Sequence, residues 1–298
     1  MTTQARSPHF GTILMVVSAT SFGTMPYLAT LARQGEVGTE TLLFIRFGLS
    51  GLIVGLLALL QRRRFPTGAS LRNWIVLGLV LYTAQSYSFF TALLHAPGAL
   101  VSLLLYLYPV IVAGLAVWLL HEKMTKLKVS ALALAILGAV LAVGPVASAT
   151  PKGVAWGLSA AFFYSIYLVT GAKLLKDSDG VAASVVIMGA ATVAYATLAT
   201  IQGWQFPTNA EGWAGSIGLA VSSAIALATL FAGMEVIGPV NASTLSAIEP
   251  IVTATLGFVL LHQKLTGLQI IGGLFILIAA IVVVRGVVLR TSDSKEQS

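Results

Sequence analysis

The sequence predicts an all-α integral membrane protein, with ten transmembrane helices built from two inverted five-helix repeats. Three observations lead there. Of the 298 residues, 57% are hydrophobic and 9% charged, and the mean hydropathy is +0.92. Soluble domains run near 25% charged, so this chain has too few charges to build a hydrated surface. Ten runs of about 20 mostly apolar residues follow one another on short connections, each long enough to cross roughly 30 Å of hydrocarbon at about 1.5 Å per residue. The second half also repeats the first at an offset of 141 residues. Together these exclude a water-soluble enzyme, a disordered chain and a nucleic-acid-binding protein. The net charge of +7 is no signal for nucleic acid, because the basic residues lie in short loops. The runs do not alternate in polarity, which excludes a β-barrel, and with no cysteine there is neither a disulfide scaffold nor a thiolate metal site.

The spans fall at 10–32, 39–60, 72–94, 97–120 and 128–146, then at 153–175, 181–201, 212–236, 239–261 and 267–289. Span 1 is an apolar run of about 22 residues without a small-residue cleavage site, so it reads as a retained span. Span 2 closes on Arg62, Arg63 and Arg64. Span 3 carries polar and aromatic residues at helical spacing. Spans 4 and 9 open on Pro97 and Pro239 and carry Pro109 and Pro250 about three turns in. Spans 5 and 10 are the alanine- or glycine-rich helices that end each half. Spans 6, 7 and 8 stand where spans 1, 2 and 3 stand in the first half, which divides the chain into repeats at 10–146 and 153–289.

Lys and Arg set the orientation. Arg6, Arg62, Arg63, Arg64, Arg72, Lys123, Lys126, Lys128, Lys173, Lys176, Arg285, Arg290 and Lys295 share the side of the N-terminus. Arg33, Lys152 and Lys264 lie opposite, and Arg46 lies within span 2. Thirteen of the 17 basic residues against three place both termini in the cytoplasm, in a multi-pass protein of a bacterial inner membrane.

The repeat is clearest where residues 107–144, LYPVIVAGLAVWLLHEKMTKLKVSALALAILGAVLAVG, lie over residues 248–285, IEPIVTATLGFVLLHQKLTGLQIIGGLFILIAAIVVVR. Pro109 meets Pro250, and the Leu-Leu-His-x-Lys-x-Thr run recurs in register. Chance pairing of Leu and Ala does not produce that. Five spans per half is an odd number, so the second half enters the membrane from the opposite side. Secondary transporters use such inverted repeats: two similar half-folds exchange conformations and open a shared central site to each side in turn.

The two proline-containing helices, each followed by a short polar turn and a small-residue helix, resemble EamA domains of the drug/metabolite transporter superfamily. The turn, usually Gly-Glu in that family, is His121-Glu122 in the first half and His262-Gln263 in the second. Within the superfamily the pattern is most similar to bacterial aromatic amino acid exporters. That resemblance implies export of aromatic and other apolar amino acids, with a small-molecule substrate, the lipid bilayer as the other partner and no cofactor.

A central site needs donors, acceptors and an apolar wall. Tyr82, Gln85 and Phe89 share one stripe of span 3, and Ala99, Ser102 and Tyr106 share one of span 4. Ser222 and Ser223 add polarity in span 8, and Asn241, Ser243, Ser246 and Glu249 in span 9. Tyr82, Gln85, Phe89, Ser102, Tyr106, Ser246 and Glu249 are the candidate substrate contacts, although an aromatic stripe also serves helix packing. A proline within a helix removes a backbone hydrogen bond and frees a carbonyl, tolerated only where protein or water answers it. Pro97, Pro109, Pro239 and Pro250 are therefore the candidate helix breaks. Two charges lie inside spans: Arg46, roughly 10 Å from the outer end of span 2, and Glu249, roughly 15 Å into span 9. Facing lipid, either would cost about 2.5–3.5 kcal/mol or more. Arg46 reads as a structural charge. Glu249 either couples an ion or binds a substrate ammonium, or is a structural carboxylate, with Arg46 a partner if spans 2 and 9 meet.

Other motifs carry less. Gly51-x-x-x-Gly55 and Gly153-x-x-x-Gly157 permit close helix contact, read as internal packing, which leaves a monomer as the expected state. His95, His121 and His262 stand apart at helix ends, so no metal site is expected. An intramembrane enzyme needs grouped acid–base or nucleophilic residues, and the spans hold no aspartate, cysteine or central histidine. No phosphate-binding G-x-x-x-x-G-K-[ST] loop is present. A multidrug or other small-metabolite exporter of the same fold is the main alternative; a channel is a remote one. Reporter fusions test the orientation. Alkaline phosphatase is expected to be inactive, and a fluorescent protein bright, when fused after residue 66 or at the C-terminus, with the reverse after residue 36.

Overall fold

Hydrocarbon offers no hydrogen-bond partner, so a chain crossing it must satisfy its backbone internally. The computed structural model describes residues 8–120, 126–143, 150–175, 178–263 and 265–296, and these are helical apart from short connections. The elements are α1 (Pro8–Arg33), α2 (Thr39–Leu60), α3 (Gly68–Leu77), a π-helical turn (Gly78–Tyr82), α4 (Thr83–Ala92), α5 (Gly98–Leu105), α6 (Tyr108–Leu120) and α7 (Lys126–Val143). The second half contributes α8 (Pro151–Leu174), α9 (Gly180–Gln202), α10 (Ala210–Ser246), α11 (Ile248–Leu261) and α12 (Gly267–Glu296). Arg6, His121, Glu122, Lys123, Lys176, Asp177 and Lys264 lie outside the described residues.

Helix starts follow local chemistry. Thr150 caps α8, accepting from the Gly153 N–H, with Pro151 in the first turn, where no donor is missed. Asp179 caps α9 by accepting from the Val181 and Ala182 N–H groups, and it also pairs with Arg63 at 3.3 Å. Gly203 ends α9 at φ +94°, a conformation that glycine adopts freely.

Among the described residues six helices are long and apolar enough to cross a bilayer, and the shorter apolar helices Gly98–Val112, Val129–Ala142, Ile248–Leu261 and Gly267–Val282 stand at the other four spans. The ten-span expectation holds, with two refinements. Span 3 is not one α-helix but α3 and α4 joined by a π-turn. Spans 8 and 9 share the unbroken helical stretch Ala210–Ser246, yet the chain reverses within it. Gly212 meets Gly35, Gly215 meets Ala32, Ser222 meets Thr24, and Val236 and Ile237 meet Gly11, so α10 runs antiparallel to α1. Continued straight, it would carry Glu249 about 18 Å past Gly11. Instead the Glu249 carbonyl and Val252 lie against Gly23, halfway back along α1. The reversal therefore lies between Ile237 and Glu249.

The large interfaces join one half to the other. α1 packs on α10 and α11, and its repeat equivalent, α8, packs on α4, α5 and α6. Equivalent helices also meet each other: α2 with α9 and α7 with α12. This is the pairing that an in-plane two-fold between inverted halves requires. Small residues allow it. A Cβ on Gly215 would strike the Ala32 backbone, and one on Gly272 the Ala142 backbone. Gly51 and Gly55 face Met188 and Val185, while Gly153 and Gly157 face Ala96 and Leu104, so both small-residue motifs serve internal packing. Outside, Leu52, Leu60, Val140, Val193 and Ile201 are 62–75% exposed, an apolar belt suited to lipid.

Gly215→Val and Gly272→Val are expected to destabilise the protein by about 1–3 kcal/mol each through overpacking. Gly189, whose Cβ direction is open, is expected to accept Ala with no loss or a gain of about 0.5–1 kcal/mol. Thermal unfolding in detergent measures all three.

Candidate functional site

The two proline pairs put irregular backbone at the centre of the bundle. Span 4 breaks at Tyr106-Leu107 between α5 and α6, and span 9 breaks at Ala247 between α10 and α11. Adding the 141-residue offset to Tyr106 gives Ala247, so the breaks are equivalent, each just ahead of its proline, Pro109 or Pro250. The residues before a proline are biased away from helix, and the ring removes one N–H. Pro250 deprives the Ser246 carbonyl, four residues back, of its helical donor. The Tyr106 hydroxyl of the other half donates to that carbonyl. Glu249 Oε2 lies 3.3 Å from the same hydroxyl. Pro97 and Pro239 differ from this pair: Pro97 caps the start of α5, and Pro239 stands in the helical stretch beside the α10 reversal.

Aromatic rings run from this break across the bundle. Tyr106 contacts Tyr108 (ring centroids 6.0 Å apart), Tyr108 contacts Tyr164 (4.9 Å), and Tyr164 stacks on Tyr167 (5.9 Å). Tyr167 then contacts Tyr82 (5.2 Å), and Tyr82 contacts Phe47 (5.4 Å), which stacks on Tyr195 (5.7 Å). These rings come from α2, the π-turn, the span 4 break, α6, α8 and α9. Tyr82, Tyr108, Tyr164, Tyr167 and Glu249 are only half-buried although their rings or neighbours face one another from different helices. Each therefore keeps some accessible surface.

The π-turn aims Tyr82 into this ladder. Its extra residue rotates α4 relative to α3, and Tyr195 holds the join: its hydroxyl donates to the Thr83 carbonyl at 2.8 Å and lies 2.7 Å from Ser86 Oγ.

At the Phe47 end stands Arg46, 6% exposed. Its guanidinium carbon lies 4.8 Å and 5.0 Å from the ring centroids of Phe47 and Phe90. Nε donates to Ser223 Oγ at 2.9 Å and Nη2 to Met25 Sδ at 3.4 Å. Ser223 is itself oriented by donating to the Leu219 carbonyl. Among the described residues the one direct ion pair is Arg63–Asp179. Arg46 and Glu249 are within electrostatic reach of each other but not in contact, so the direct pairing considered from sequence is not formed.

Tyr82, Tyr106, Ser246 and Glu249 thus come together with the ladder. Gln85 lies one turn beyond Tyr82, 8% exposed, with no hydrogen bond to another described residue. Phe89 is buried behind Phe90. Ser102 is fully buried and donates to Thr253, whose hydroxyl reaches the Gly23 carbonyl, a polar stitch between spans 4, 9 and 1. The side chains of Asn241 and Ser243 lie outside the described residues. Sequence reasoning passed over Phe47, Tyr108, Tyr164, Tyr167 and Tyr195. One signal was available: Tyr108 is the repeat equivalent of Glu249. Among the described residues, no three His, Asp or Glu side chains come together as metal ligands would.

The sequence model of the EamA-like transporter family matches residues 9–144 and again residues 151–285. The chain belongs to this family. An uncharacterized transporter of Archaeoglobus fulgidus is 28% identical over 279 residues, covering 93% of this chain and 97% of that protein. Protein PecM of Dickeya dadantii is 28% identical over 256 residues, 79% of this chain and 80% of that protein. A solved crystal structure shares the fold with a TM-score of 0.66 at 18% identity, over 93% of this chain and 96% of that chain. This is a multi-pass membrane transporter of a small molecule, and its central break, ladder and pair of separated charges form the candidate site.

The proline–tyrosine exchange makes a prediction about this transporter. Tyr106→Phe removes the hydroxyl that donates to the Ser246 carbonyl and is expected to cost about 1–3 kcal/mol. In a Pro250→Ala background residue 250 regains an N–H for that carbonyl, so the same substitution is expected to cost at least about 1 kcal/mol less. A double-mutant cycle read by thermal unfolding checks it.

Proposed function

We propose that the protein exports aromatic and other apolar amino acids across a bacterial inner membrane by alternating access, with both termini in the cytoplasm. The observation that carries this reading is the central aromatic ladder, half-buried and bounded by Arg46 at one end and Glu249 at the other. An aromatic side chain stacks on Tyr82, Tyr108, Tyr164 and Tyr167, each ring contact contributing about 0.5–1.5 kcal/mol. Gln85 offers donors and an acceptor, and Glu249 with the tyrosine faces suits an ammonium. The two equivalent helix breaks supply flexible points about which the halves rock. A second reading, export of planar drugs or other metabolites, draws on the same ladder, which stacks any flat ring.

The test is flux of radiolabelled phenylalanine, tryptophan, threonine and methionine in proteoliposomes. Saturable flux that unlabelled amino acid blocks is expected, falling at least about tenfold in a folded Tyr82→Ala/Gln85→Ala variant. Glu249→Gln keeps the shape and the Tyr106 contact while removing the titratable group; the pH dependence of flux is expected to flatten. The groups that would shape this dependence with Glu249 are Tyr106, Tyr108, Tyr164 and Arg46. Absence of amino acid flux alongside uptake of a cationic dye would replace the first reading with the second.

A further inference from the structure

Arg46 carries more chemistry than a structural charge needs. A guanidinium has five N–H donors. Here one reaches Ser223 Oγ and one the weak acceptor Met25 Sδ, and no carboxylate contacts it among the described residues. Three donors are left without an acceptor. They are not fully sealed in: among the described residues the buried side-chain nitrogens and oxygens without partners include none of Arg46, so Nη1 keeps some accessible surface. Meanwhile Phe47 and Phe90 flank the guanidinium and Ser223 pins Nε. The group is desolvated, held in one orientation and not in contact with a carboxylate among the described residues. An arrangement of this kind is destabilising, because a buried charge without an ionic partner costs several kcal/mol. A guanidinium fork grips a planar anion with two parallel hydrogen bonds.

We propose that Arg46 binds the carboxylate of the transported solute, the solute's ring then lying along the ladder that starts at Phe47. The proposal rests on the amino acid reading for the identity of the solute but not for its negative charge. Arg46 thereby discriminates carboxylates from amines and amides of the same shape, and Ser223 positions it.

The experiment is a thermal-shift titration of purified full-length protein with phenylalanine, 3-phenylpropionate, phenylalaninamide, phenethylamine and sodium chloride. Phenylalanine and 3-phenylpropionate are expected to raise the melting temperature of the wild type, and the amide and amine not to. Arg46→Gln is expected to weaken both carboxylates on the order of 30-fold or more. Without ligand, this variant is expected to melt at or above the wild-type temperature, since it removes an unpaired charge. A purely structural arginine predicts the opposite pair: a lower melting temperature with carboxylate binding retained. Should Arg46→Gln not fold, Ser223→Ala decides, with carboxylate affinity expected to fall about fivefold; unchanged affinity there overturns the proposal. Arg46-dependent binding of 3-phenylpropionate without phenylalanine would sink the amino acid reading and leave the anion site standing. No stabilisation of the wild type by either carboxylate, or stabilisation by chloride equal to theirs, would overturn it.

Discussion

Hydrocarbon cannot hydrogen-bond a peptide group, and the architecture follows from that single constraint. It makes every described crossing helical, and it decides where helix may stop. Backbone freed by Pro109 or Pro250 is affordable only inside the bundle, so the breaks face the centre, where side chains and water answer them. Tyr106 answers one directly, from the opposite half, at the carbonyl that Pro250 leaves open. The same device that solves a backbone problem brings a tyrosine, a glutamate and irregular backbone to one place near the middle of the membrane.

Stability and motion are tied through the interface between halves. The large packing surfaces are all between the repeats, and small residues let α1 meet α10 and α7 meet α12 backbone to backbone. Neither half buries its inner face alone. Polar stitches such as Ser18 to the Ala226 carbonyl and Ser102–Thr253–Gly23 hold particular registers. A rocking transporter must change some of these contacts while keeping others. Equivalent pairs such as α2 with α9 can exchange roles across the pseudo-axis without a new kind of contact.

Electrostatically the centre is polarised. Arg46 and Glu249 stand at the two ends of an aromatic ladder and do not neutralise each other by contact. A low-dielectric site penalises such separated charges, and that penalty is relieved by whatever bridges them.

Composition, hydrophobic run length and the 141-residue repeat were enough to state the fold: ten spans, two halves, opposite insertion. Each rests on transfer free energy summed along the chain, which is local and additive. Of the four prolines read as breaks, Pro109 and Pro250 each follow one, while Pro97 caps α5 and Pro239 stands in a helical stretch. The site was legible only in part. Tyr82, Gln85 and Glu249 stood out as polar residues in apolar runs, but nothing in the sequence singled out Tyr164 and Tyr167, which α8 brings against Tyr108 and Tyr82. Ser102 fits a binding stripe by spacing, yet tertiary packing turns it to Thr253. A helical repeat tells which residues share a face; it does not tell what that face meets. Whether Arg46 found a carboxylate or an open space was decided by the rotation and depth of α2 against α1, α4 and α10, quantities set by side-chain packing between distant segments.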